Sequence, residues 1–111
     1  MAITTEVMTG GITRAILDGR LDVDGAAAVD VQMTEIAGMH KAVLVDLQNV
    51  SYLGSTGLRS LVAPARTIKS RGGKMVLFAP SEMVEKVLKV SGVDTLIPVH
   101  FELQGALAAL R

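Results

Sequence analysis

The first part of the chain consists of short apolar and β-branched segments separated by glycine-containing breaks. Residues 3–8 and 12–17 are typical of strands, and the glycine pair between them accepts the positive φ angles of a tight hairpin turn. The Asp18-Gly19 pair predicts that the second strand ends there. The pattern therefore begins with a β-hairpin.

The segments that follow predict a helix and then a buried strand. Asp22 or Asp24 begins the helix, because acidic side chains suit its positive end, and apolar residues then recur on one face. Residues 42–45 form a nearly continuous apolar run that ends at Asp46, as in a central strand covered on both faces. A loop is expected over residues 47–54.

The second half of the chain repeats this alternation. An apolar-periodic segment containing Pro64 predicts a second helix with a kink at the proline. Residues 75–78 predict another buried strand, and Ser81 is the expected N-cap of a third helix. A short edge strand is expected over residues 96–99, followed by a last helix over residues 102–110.

These elements predict an α/β fold in the order β-β-α-β-α-β-α-β-α. Alternating strands and helices imply right-handed crossovers and a mainly parallel sheet, to which the initial hairpin adds an antiparallel strand. We expect a mixed sheet of about five strands with about four helices. No repeat or linker interrupts the pattern, so residues 1–111 are predicted to form one domain.

Composition argues against several classes of function. Lys plus Arg and Asp plus Glu each number 11, so no net field favours nucleic acid or an anionic membrane. One Tyr, two Phe and no Trp leave little aromatic surface for stacking bases. The absence of Cys excludes disulfides and thiolate chemistry. Without a leader-like or membrane-spanning stretch, we expect a soluble, cytoplasmic protein that does not insert into a membrane.

Groups suited to catalysis or to metal binding are sparse. Asp46 ends a strand, but the sequence shows no second titratable group to work with it. His40 and His100 are isolated, whereas a metal site or acid–base pair needs converging side chains. No P-loop lysine and no Gly-x-Ser-x-Gly elbow is present. We therefore expect neither an enzyme nor a cofactor.

The most informative segment leads from the predicted central strand into the second helix. It reads Gly54-Ser55-Thr56-Gly57, with two hydroxyl groups at the helix start. The first N–H groups of a helix lack internal partners and give that end partial positive charge, so a phosphate is tolerated there. A phosphate adds about −1.5 to −2 charges and would repel a docked partner. The same residues also fit an ordinary helix cap.

Nearly the whole chain resembles the STAS domains of bacterial anti-sigma factor antagonists. The matching segments are residues 19–22, 44–47, 54–58, 73–77, 90–94 and 106–107. The resemblance implies that Thr56, the hydroxyl residue before the second glycine, is the phosphoacceptor, with Ser55 as the alternative. Gly54 departs from the family pattern, which usually has Asp at this position.

The resemblance also implies a partner-switching cycle. The unphosphorylated chain would bind an anti-sigma factor that is itself a serine/threonine kinase of the histidine-kinase-like ATPase type, and the sigma factor would be released. A metal-dependent serine/threonine phosphatase would reset the cycle, and this chain would not contact nucleic acid directly. The expected partner-binding residues are Asp22, Asp24, Gly54, Ser55, Thr56, Gly57, Leu58 and Arg59.

Three alternatives remain open. Because Gly54 replaces the usual Asp, the chain would also suit a non-phosphorylated STAS adaptor in a lipid-transport or sensory complex. A small-ligand or nucleotide-binding module would use the same helix start as an anion site. The second helix also has a basic side, which is either solvated or docks on an acidic partner, and which comprises Arg59, Arg66, Lys69 and Arg71.

Overall fold

The computed structural model describes residues 1–111 and has five strands and five helices. In chain order they are β1 (Ala2–Met8), β2 (Ile12–Leu21), α1 (Val23–Met39), β3 (Ala42–Leu53), α2 (Ser55–Ser70), β4 (Lys74–Phe78), α3 (Glu82–Ser91), α4 (Val93–Leu96), β5 (Val99–His100) and α5 (Leu103–Leu110). The sheet follows chain order; β1 is antiparallel to β2, and all other pairs are parallel. The predicted α/β fold with a five-stranded mixed sheet is confirmed, with one helix more than expected.

Two apolar clusters cover the two faces of the sheet. Successive side chains of a strand point to opposite faces, and accordingly Val43 and Val45 belong to one cluster whereas Leu44 belongs to the other. The larger cluster comprises 20 buried residues and includes the inner faces of α1, α2 and α3. The smaller one has 6 buried residues, two of them from α5. Helices α1 and α2 therefore lie on the same face, side by side.

The initial hairpin forms as predicted, but β2 is longer than expected. Gly10 and Gly11 have φ angles of 88° and 73° in the turn. The expected end of β2 at Asp18-Gly19 is wrong, because the strand continues to Leu21. Gly19 instead has a φ of 122°, and the pairing register with β3 shifts on either side of it. The glycine therefore makes an irregularity within the strand, of the kind a β-bulge makes, rather than an end.

The loop expected over residues 47–54 is also wrong, because β3 runs without a break to Leu53. The extension of β2 supplies the hydrogen-bonding partner for this segment, and Val50 pairs with Gly19. Its exposed polar residues resemble a loop in sequence. Leu47, Val50 and Leu53 are nevertheless buried in the larger cluster. The long strand carries the chain to the start of α2.

The second half of the chain departs from expectation at one element. Helix α2 continues through Pro64, and Ser81 caps α3 by accepting a hydrogen bond from the Val84 N–H at 3.3 Å. The edge strand predicted over residues 96–99 is displaced, because Leu96 lies in the one-turn helix α4 and the strand is Val99–His100. No helix combines the length and the apolar character that crossing a membrane requires.

Candidate functional site

The starts of α1 and α2 lie next to each other at the carboxyl end of the sheet. Leu21 and Leu53 are the last residues of β2 and β3, and they pair with each other in parallel register. The residue after each strand is the N-cap of the following helix, and the Gly54 N–H donates to the Leu21 carbonyl at 3.1 Å. The structure thus brings the predicted partner-binding residues of both helices to one surface. We call this surface, made by residues 22–25 and 54–59, the switch surface.

At the start of α2 no side chain satisfies the free N–H groups. The N-cap Gly54 makes no side-chain hydrogen bond, and the first turn contains no acidic residue. The Leu58 N–H donates to the Gly54 carbonyl at 3.0 Å, which begins the helical ladder. Ser55 is exposed and Thr56 is half-buried within this open turn. An anion carried by either hydroxyl would lie at the positive end of the helix.

At the start of α1 a carboxylate already lies at the positive end of the helix. Asp22 is the N-cap, and its Oδ1 accepts a hydrogen bond from the Gly25 N–H at 2.8 Å. This hydrogen bond, assisted by the neighbouring Arg20, holds the pKa of Asp22 below its ordinary value of 3.8. Asp24 is exposed in the first turn. The α1 half of the switch surface is therefore acidic without any modification.

Gly57 holds α2 against the sheet. It is buried, and a Cβ at this position would collide with the carbonyl oxygen of Leu21 and lie 2.7 Å from the Leu21 Cγ. Gly57 therefore offers little surface of its own, and its partner-binding role stays a prediction. Leu58 is half-buried against the larger core cluster, and Arg59 is exposed.

A contact that links the two helix starts was not predicted. The ring of Tyr52 lies beside Gly54, with its Cε2 atom 3.2 Å from the place a Cβ would take. The guanidinium of Arg20 lies over the same ring, 4.4 Å from its centroid, and Arg20 Nε is 3.5 Å from Asp22 Oδ2. A side chain at position 54 would therefore begin in close contact with the Tyr52 ring, which would have to shift by a few tenths of an ångström. If residues 52–54 had been predicted as extended strand, Tyr52 and Gly54 would have been expected on the same face of it.

Asp46 has a structural partner that the sequence did not reveal. Its buried carboxylate accepts hydrogen bonds from Arg14 Nη2 at 2.6 Å and from the Gln48 N–H at 3.0 Å. The ion pair crosses from β3 to β2. The ion pair joins the two strands, and Asp46 lies within β3 rather than at its end.

The remaining candidate groups are dispersed. Arg71, expected on the basic side of α2, donates to the carbonyl oxygens of Ala37 at 2.6 Å and His40 at 3.3 Å, and so joins the ends of α1 and α2. His40 and His100 are half-buried near strand ends. No three His, Asp or Glu side chains converge closely enough to hold a metal ion.

Comparison with known proteins identifies similar sequences along most of the chain. The family model described as the STAS domain matches residues 7–106. The anti-sigma-B factor antagonist of Bacillus subtilis is 26% identical over 87 residues, which are 78% of this chain and 80% of that protein.

Solved structures show the same architecture. An anti-sigma factor antagonist from Mycobacterium paratuberculosis has a TM-score of 0.83 at 28% identity, with 99% of this chain and 95% of that chain covered. The Bacillus cell fate determinant SpoIIAA in its phosphorylated form has a TM-score of 0.73 at 20% identity, with 99% of this chain and 100% of that chain covered. The second likeness is one of fold.

Proposed function

This chain belongs to the STAS domain family, and we propose that it is an anti-sigma factor antagonist that phosphorylation of Thr56 switches off. Its similarity to proteins named anti-sigma factor antagonists extends over most of both chains and supports the binding function. The observation that carries the switch is the uncapped start of α2, where two hydroxyl residues lie beside the acidic start of α1.

The local charges favour a switch that needs no refolding. Before modification the switch surface and its border carry Asp22 and Asp24 against Arg20 and Arg59, so the formal charges cancel. A phosphate on Thr56 adds about −1.5 to −2 charges, which the free N–H groups of α2 tolerate. A partner that fits the neutral surface then meets uncompensated negative charge. Binding is lost while the fold is kept.

The chemistry of the switch belongs to the partners. We propose a serine/threonine-kinase anti-sigma factor of the histidine-kinase-like ATPase type as the binding partner. It would transfer the γ-phosphoryl group of ATP to the Thr56 Oγ1 and leave ADP. A metal-dependent serine/threonine phosphatase would restore the hydroxyl by hydrolysis. In this cycle our chain acts in the cytoplasm as one domain, residues 1–111, and supplies the acceptor and the docking surface without catalysing either step.

Phosphorylation by the purified anti-sigma factor from the same genome tests the acceptor assignment. We expect intact-mass measurement to show one phosphoryl group on the wild type and on the matched control Ser55→Ala, and none on Thr56→Ala. Incorporation into Thr56→Ala would move the acceptor to another residue. Binding of the wild type without any incorporation would remove phosphorylation from the proposal.

Binding of the same partner tests the switch itself. Calorimetry should show Thr56→Glu weakened by about tenfold or more, which corresponds to about 1.4 kcal/mol. The uncharged control Thr56→Gln should bind within about threefold of the wild type. Equal affinities for Glu and Gln would show that charge at this position does not control binding.

A second candidate is a STAS adaptor that is not phosphorylated. The observation in its favour is the Tyr52 ring, which lies close against Gly54, the position where the family usually has an acidic side chain. An adaptor in a lipid-transport or sensory complex would bind its neighbouring subunits equally as wild type, Thr56→Ala and Thr56→Glu. Equal capture of such subunits by all three forms would favour this function over the switch.

A further inference from the structure

A groove runs along the exposed side of α2 and shares only Leu58 and Arg59 with the switch surface. Its second wall is made by residues 96–98, joined at one end by residues 73–76 and Ala109, and Leu96 borders each of its depressions. Three neighbouring depressions of about 460, 150 and 370 Å³, which share lining residues, make up the groove. From Leu58 to Lys69 it follows about three turns of α2, or roughly 16 Å. This length fits a short helix laid alongside.

The floor of the groove is apolar. The half-buried side chains of Leu58, Val62 and Ala65 recur at helical spacing along it. On the opposite wall Leu96 is 59% exposed, which is unusual for a leucine. Isolated exposed leucines need no explanation, but this one faces a continuous apolar strip. The arrangement suits the apolar face of an amphipathic helix.

The rim of the groove has one sign of charge. Four cationic residues line it, and no acidic residue does; the cations are Arg59, Arg66, Lys69 and Lys74. None of the four forms an ion pair or side-chain hydrogen bond within the chain, although the chain as a whole has equal numbers of acids and bases. Arg59 and Arg66 are seven residues apart, two turns along one side of α2. The unmatched charge indicates a negatively charged occupant.

We propose that this groove is a second docking site, and that its occupant is an acidic amphipathic helix of a protein partner. Leucine-like side chains spaced three and four residues apart would pack on the floor, and Asp or Glu side chains on the flanks would pair with the rim. Arg66 and Lys69 lie outside the switch surface, so docking in the groove does not require an unmodified Thr56. The phosphorylation switch does not account for the basic side of α2, and the groove gives these cationic residues a function.

Site-specific photo-crosslinking in the native host tests the occupant. A photoreactive residue replaces Ala63, which is exposed in the groove, and the matched control carries it at Ala108, which is exposed on α5. We expect Ala63 alone to capture a peptide whose sequence is an acidic amphipathic helix. A lipid adduct, a second copy of this chain, a peptide without that pattern, or no capture beyond the control would each overturn the proposal.

Titration with a synthetic copy of the captured peptide then tests the charge match. We expect the rim variant Arg66→Glu/Lys69→Glu to bind about tenfold or more weakly than the wild type. The matched control Lys41→Glu/Lys86→Glu, which reverses two exposed charges outside the groove, should leave affinity unchanged. Equal affinities for both double variants would overturn the charge match. Because Thr56→Glu should bind this peptide like the wild type, failure here is distinguishable from failure of the switch.

Discussion

The starts of α1 and α2 are built alike and charged differently. Each follows the last residue of one of two paired parallel strands, and each has a buried glycine at the third helical position. A Cβ on Gly25 would collide with the carbonyl oxygen of Arg20, as one on Gly57 would with that of Leu21. The N-cap and the second helical position, however, are Asp22 and Asp24 in α1 but glycine and threonine in α2.

The comparison shows that the fold requires the glycine at the third helical position but does not require a negative charge at the helix start. Both glycines are needed because each helix starts in contact with the backbone of β2. The carboxylates stabilise α1 without any modification, whereas α2 begins without any negative charge. A phosphorylated Thr56 would supply at α2 the charge that Asp24 supplies at α1. The open helix start is therefore the place where added charge changes the surface without opposing the fold.

Substitution of the shared glycine should have the largest effect. Gly57→Ala is expected to lower the free energy of unfolding by about 2–3 kcal/mol, because the added methyl group meets backbone that cannot move aside. Gly25→Ala should behave in the same way. Urea unfolding monitored by circular dichroism measures both.

The control for this prediction is Gly38→Ala in α1. Nothing lies within 4 Å of its Cβ position, so alanine should stabilise the helix by about 0.5–1 kcal/mol. If Gly57→Ala unfolded at the same urea concentration as the wild type, the close approach of α2 to β2 would be contradicted.

Charge added at the start of α2 should have a smaller effect, and it should be favourable. Thr56→Glu is expected to be about 0.3–1 kcal/mol more stable than Thr56→Gln at low ionic strength, because the carboxylate interacts with the helix dipole. The same pair of substitutions at Thr67, exposed in the last turns of α2, should give the opposite sign. Thermal unfolding at low and high salt checks both. A Glu variant at position 56 less stable than its Gln control would mean that α2 does not tolerate a phosphate there.

The order of the elements was predictable, and the ends of two strands were not. Hairpin glycines, apolar runs and helix caps are local signals, and they predicted the α/β fold and the N-cap role of Ser81. The extensions of β2 and β3 stabilise each other through pairing of residues about 30 positions apart. Neither extension alternates apolar and polar residues as a half-buried strand does, so both were expected to be irregular.

The candidate site was predictable as a set of residues but not as an arrangement. The hydroxyl pair and the acidic helix start are visible as motifs. These motifs lie side by side because Leu21 pairs with Leu53. The contact of the Tyr52 ring with Gly54 depends on the extension of β3, which was expected to be a loop. The ion pair between Arg14 and Asp46 joins adjacent strands, and a single sequence carries no mark of it. Contacts between distant segments were thus the part that required the structure.

The smallest expected effect concerns the start of α1; it is present near neutral pH and disappears in acid. Asp22→Asn keeps a side-chain oxygen for the cap but removes the charge. Since the folded-state pKa of Asp22 lies below the ordinary value of 3.8, its charge stabilises the protein above that value, and this stabilisation is lost as pH falls through the folded-state pKa. The wild type should therefore exceed Asp22→Asn in stability near neutral pH, and the two should converge in acid. Urea unfolding over a descending pH series measures the difference. A difference independent of pH would mean that the N–H groups of α1 bind the oxygen without regard to its charge, and the contrast with the uncharged start of α2 would then rest on hydrogen bonding alone.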